Sequence, residues 1–183
     1  LGTSVLWFES VPPEAPRPPQ QYRNLALTAV GTHDLPPTAG YLEGAHNALR
    51  HKLGLVKESL EELNATDAVW ISQVLAAAQA EGAFDGSPLA DVDFLDRDLG
   101  EYDDVDTLVE GLTRFIASTP SAMTCTNLVD MVGDTRIQNQ PGTNREMYSN
   151  WCIPLCDASG TPVLIEDLPD VALFQRIAAA SAR

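Results

Sequence analysis

The stretch Leu25–Tyr41, LALTAVGTHDLPPTAGY, constrains the fold of this chain more than any other. Its apolar run breaks off at Gly31-Thr32-His33-Asp34, and a Pro-rich turn follows. A short unbroken apolar run between turn signals reads as a strand buried on both faces, as in a parallel sheet covered by helices. A buried strand that delivers a His and a carboxylate into the following loop is the layout of a site at the C-terminal mouth of a parallel α/β sheet or barrel.

The flanking pattern extends this reading. Ser4-Val5-Leu6-Trp7-Phe8 reads as another buried strand, and Pro12–Gln21 as an extended, solvated connector with at most a very short helix near Gln20–Asn24. Beyond Gly40 the pattern turns helical: Tyr41–Leu53, interrupted at Gly54, then Val56–Leu63, then a stronger helix capped by Asp67 and ended by Gly82. Val105, Leu108, Val109, Leu112, Phe115 and Ile116 give the cleanest 3.6-residue stripe, and Pro120 stops that helix. Ala122–Met131 reads as a third strand running into a loop, Gly133–Trp151 as turns, and Asp170 as the cap of a last helix with Val171, Phe174 and Ile177 inward. The order predicts an α/β fold with parallel strands. Three such strands leave two unpaired edges, which folded domains avoid, so the sequence reads as part of a larger sheet.

Several classes drop out on composition. A net charge of −15 opposes binding to nucleic acid or anionic membranes, both of which need a basic face. No apolar run approaches the ~18 residues of a membrane span. The chain opens Leu1-Gly2-Thr3 with no Met and no signal-peptide pattern, which reads as a sequence entered in the middle. Three cysteines, Cys125, Cys152 and Cys156, suggest reduced thiols and a cytoplasmic setting, and Cys152-x-x-x-Cys156 lacks the second ligand pair of a zinc site. The acidic segment Asp91–Asp106 fails the calcium-loop register from Asp91, where Leu95 falls at position 5, and from Asp96, where Gly100 does. It reads as a solvated loop feeding a helix N-terminus. His46 and His51 are five apart, not at the spacing of a metal pair, and read as surface residues. No metal or cofactor is expected, and phosphate-binding, dinucleotide-binding and serine-hydrolase motifs are absent from the sequence.

Two groups can carry chemistry. The first is Thr32-His33-Asp34: an ionised Asp accepts hydrogen bonds from two neighbouring sugar hydroxyls and a His donates to another, although an Asp here also suits a loop-stabilising role. The second is Asn127, Asp130, Asn139 and the turn Gln140-Pro141-Gly142-Thr143, whose amides and open glycine backbone suit sugar hydroxyls and equally suit turns. Trp7, Tyr41 and Trp151 can stack on sugar faces or serve as core, with Trp7 reading as core.

Leu1–Glu9 (LGTSVLWFE), Gly31–Pro36 (GTHDLP) and Asn139–Thr143 (NQPGT) followed by Ser149-Asn150-Trp151 together resemble the end of the 4-α-glucanotransferases, the amylomaltases or disproportionating enzymes of glycoside hydrolase family 77. The resemblance covers essentially the whole chain. It implies that residues 1–183 are the C-terminal part of a (β/α)8 TIM-type barrel, about strands six to eight with their helices, the earlier strands lying upstream. It implies retaining transfer of α-1,4-glucan segments between maltodextrins: an Asp nucleophile forms a glycosyl-enzyme, a Glu is acid/base, and a second glucan accepts the sugar. Asp34 matches the family's third carboxylate, which stabilises the transition state; His33 matches a sugar-binding His and Asn139 an Asn of the donor-site wall. Gly142 joins them as a substrate-binding residue. The nucleophile and acid/base fall before Leu1 in that family. Glu9 and Glu166-Asp167-Leu168-Pro169 supply neither, so the segment is expected to be inactive alone.

Two other readings remain open: a non-catalytic glucan-binding or assembly module derived from such a barrel, and a complete small α/β protein with its own activity. A segment with open sheet edges is also expected to self-associate through its first strand.

Overall fold

The structure, a computed structural model, describes residues 1–95 and 97–182. Asp96, one of the two starting points tried for a calcium loop, lies outside the described residues. The chain runs β1 (Gly2–Val5), a short hairpin of β2 (Ser10–Val11) and β3 (Ala15–Pro16), β4 (Ala26–Ala29), α1 (Thr38–Leu42), α2 (Ala45–Lys52), α3 (Leu60–Ala80), α4 (Val105–Ala117), β5 (Met123–Cys125), α5 (Leu128–Val132) and α6 (Ala172–Ser181). β1, β4 and β5 form one parallel sheet with β4 in the centre. Ser4 lies opposite Thr28, and Thr28 opposite Thr124. Each outer strand has one partner among the described residues.

The amphipathic stripe on α4 does what its spacing predicts. Leu108, Val109, Leu112, Phe115 and Ile116 are buried, and the helix packs against β4, α1, α3 and α6. The acidic loop feeds it as expected, because the Asp104 carboxylate accepts from the Thr107 N–H at 3.1 Å and caps the first turn. Ile71, Val74, Leu75, Phe84 and Phe94 complete the main core with Leu6 and Trp7. α1 crosses the backbone of the 133–138 segment so closely that a Cβ on Gly40 would run into the Thr135 carbonyl oxygen.

Several elements differ from the sequence reading. Leu6–Phe8 is a 3-10 turn, not a continuation of β1: the Trp70 indole N–H donates to the Trp7 carbonyl at 3.0 Å, and Leu6 and Trp7 both turn into the core. The Pro-rich connector holds the turn and second strand of the β2–β3 hairpin, which the sequence reading did not foresee, and it ends in a 3-10 turn at Pro19–Gln21, close to the very short helix expected near Gln20–Asn24. Asp67 does not cap a helix. α3 starts two turns earlier, where Ser59 and Glu62 form a reciprocal capping box, so residues 56–59 stay outside it and Asp67 lies in its interior. The third strand stops at Cys125, and Leu128–Val132 turns into α5. Asp170 ends a 3-10 turn without capping α6, whose inward side is Leu173, Ile177 and Ala180 in place of Phe174. His46 is not a surface residue: it is 7% exposed and bonds Asp67.

Candidate functional site

The parallel sheet places its three following segments at one end. Phe8 follows β1, the Thr32–Pro37 loop follows β4, and Asn127 follows β5. The Thr32–Pro37 loop is pinned at both ends. Leu35 N–H donates to the Thr32 carbonyl at 3.1 Å, and Asp34 N–H reaches the Thr32 hydroxyl at 3.3 Å. At the far end the buried Asp130 carboxylate accepts from the Thr38 N–H at 2.6 Å and from the Thr38 hydroxyl at 3.0 Å. Burial pushes the Asp130 pKa up to about 6 against those hydrogen bonds. Asp130 therefore serves the fold and belongs to no sugar-facing group.

Asp34 is open to solvent and meets the other expected residues. Asn139 donates its amide to Asp34 Oδ1 at 2.6 Å across 105 positions of sequence. His33 Nε2 lies 3.3 Å from Asp34 Oδ2, and the His33 ring packs near Trp151, with ring centres 5.6 Å apart. Asn139 is held by a self-braced loop. The Asn150 side chain accepts from the Gln140 N–H at 2.7 Å and donates to the Thr143 hydroxyl at 2.8 Å, while Tyr148 donates to the Ile137 carbonyl at 2.6 Å. Gly142 sits at the exposed tip with φ 82°, a left-handed conformation that suits glycine, beside Pro141. It does not line either cleft described next.

Two clefts flank the His33–Asp34 pair. One, of about 320 Å³, contains Thr32, His33, Asn127 and Trp151. The other, of about 380 Å³, runs from Asp34 and Asn139 to Tyr41, His46, Arg50 and Asp67. Sequence alone gave none of the last three a part in a site: His46 read as a surface residue and Asp67 as a helix cap. Asp67 had a signal: it falls four residues before Ile71 on the inward stripe of α3, where an unpaired carboxylate is costly. In the fold His46 Nε2 and the Asn47 amide both bond its Oδ2 at 2.8 Å. Glu9 is taken up by Arg17 at 2.6 Å. Among the described residues no group of three or more His, Cys, Asp or Glu side chains is placed to hold a metal ion, and no helix is long and apolar enough to cross a membrane.

An exposed carboxylate, histidine and amide converging at the C-terminal ends of parallel strands define an α/β protein with a rim site suited to polyhydroxylated ligands. A family model described as 4-alpha-glucanotransferase matches residues 1–158, and the chain belongs to that family, glycoside hydrolase family 77. It is 40% identical over 176 residues to curated proteins named 4-alpha-glucanotransferase from Mycobacterium tuberculosis and Mycobacterium bovis, which covers 92% of this chain and 22% of each relative. It is also similar to the crystal structure of amylomaltase from Corynebacterium glutamicum, with TM-score 0.93 and 49% identity over 100% of this chain and 25% of that one. The chain thus spans 22% of the length of the curated relatives it matches.

Proposed function

We propose that this segment is the C-terminal part of the (β/α)8 barrel of a 4-alpha-glucanotransferase, with β1, β4 and β5 as its sixth to eighth strands, and that the whole protein moves α-1,4-glucan segments between maltodextrins. The observation that carries the reading is the 2.6 Å bond from Asn139 to Asp34, which ties two separate family motifs into one exposed pair at the strand ends. The Asp34 oxygens keep lone pairs for two neighbouring sugar hydroxyls, and the Asn139 and His33 contacts fix their direction. A carboxylate gripping those hydroxyls favours the distorted, oxocarbenium-like ring of a retaining reaction. His33 donates to a further hydroxyl, and Gly142 meets the glucan through its open main chain. Retaining transfer needs two carboxyl groups about 5 Å apart. Asp34 is neither of them, Glu9 is engaged by Arg17, and the segment alone is inactive. The free thiols of Cys125, Cys152 and Cys156 support a cytoplasmic setting.

The test is transfer between maltotriose molecules by the full-length protein carrying Asp34→Asn. Contacts that strengthen in the transition state raise kcat, so kcat falls about a hundredfold or more while KM moves little. An unchanged kcat would remove Asp34 from the site.

A further inference from the structure

We propose that the 380 Å³ cleft binds a second glucosyl unit of the same α-1,4-glucan through Asp67 and Arg50, next to the unit held at Asp34. This rests on the function proposed above. The cleft has the size of a small-molecule site, and Asp34 and Asn139 form one end of it, so a single glucan can run from one group to the other.

The far end is built to accept and donate. His46 and Asn47 both bond Oδ2 of Asp67, while Oδ1 takes no hydrogen bond among the described residues. Burial pushes the Asp67 carboxyl up, but the bonds from His46 and Asn47 and the nearby charges of His46 and Arg50 outweigh it and hold it below the usual range. The result is an ionised acceptor of fixed direction. Arg50 lines the same cleft from α2, and its side chain makes no hydrogen bond or ion pair among the described residues, so its guanidinium donors are free for a ligand. Tyr41, held edge-on to Trp7 with ring centres 4.8 Å apart, adds an aromatic wall. An acceptor, free donors and an aromatic wall match the alternating hydroxyls and C–H faces of a pyranose. An anionic ligand fits poorly, because Asp34 and Asp67 both line the space.

A unit bound here is used only by donors with at least two glucosyl units. The readout is the ratio of kcat/KM for maltotriose to that for 4-nitrophenyl α-glucoside, a donor with one glucosyl unit, measured on the full-length protein. Arg50→Ala lowers this ratio about tenfold, the loss expected for one charged hydrogen bond, and Asp67→Asn does the same. The Arg50 side chain bonds nothing among the described residues, so its variant keeps the test readable even if Asp67→Asn disturbs the α2–α3 contact. An unchanged ratio in Arg50→Ala, with kcat still lowered in Asp34→Asn, overturns the second unit and leaves the proposed function standing. An equal loss with both donors also overturns it. Full transfer by Asp34→Asn instead overturns the function on which this proposal rests.

Discussion

Asp34 and Asp130 both stand just beyond parallel strands, and their surroundings give them opposite tasks. Asp34 is exposed and bonded to a side chain 105 positions away; Asp130 is 4% exposed and bonded to the first turn of α1. Sequence made the first legible, because a strand that stops at Gly-Thr-His-Asp leaves the carboxylate in the loop. It left Asp130 open between ligand and turn, because nothing local marks a carboxylate that will be covered by a segment 92 positions away. His46 was misread for the same reason, its burial depending on α3 packing over it. Burial of Asp130 has a consequence for stability. Its folded pKa, about 6, lies above the ordinary carboxyl value of 3.8, so its contribution is fully present below pH 3.8 and is lost as pH rises through about 6. Asp130→Asn keeps an oxygen for the Thr38 N–H and carries no charge. Thermal melts are expected to show the variant gaining on the wild type between pH 4 and pH 7, by on the order of 2–3 kcal/mol. A constant difference across that range would contradict the buried charge.

At the scale of elements, the helix with the strongest stripe, α4, was legible almost residue for residue, and so was the parallel order of the strands. Boundaries were less so. Ser59-x-x-Glu62 is the true start of α3, and it was passed over in favour of Asp67, whose carboxylate serves the neighbouring helix α2 instead. Leu6-Trp7-Phe8 looked like strand because an apolar run cannot reveal that Trp70 will claim the Trp7 carbonyl. The sheet has its own liability. β1 and β5 each carry one partner among the described residues, and Leu1, Phe8 and Leu25 are 81%, 67% and 74% exposed. Unpaired strand groups beside apolar side chains invite another copy to pair. Light scattering of the isolated segment is expected to show dimers or larger species that grow with concentration; a clean monomer at high concentration would contradict pairing through β1.

For the whole molecule, family membership was legible in the sequence because three separated blocks fall in one order, while the energetic link between them was not. That link is the loop around Asn139, braced by Asn150, Thr143 and Tyr148, which bends back onto the Asp34 loop. Turn residues announce that such a segment bends; they do not say where it lands. The measurement that tests this arrangement most directly is a crystal structure of the full-length protein with a bound maltodextrin. Two neighbouring hydroxyls of one glucosyl unit are expected within about 3 Å of the Asp34 carboxylate, with Asn139 still bonded to it. A glucan bound with Asp34 facing away from every sugar ring would contradict it.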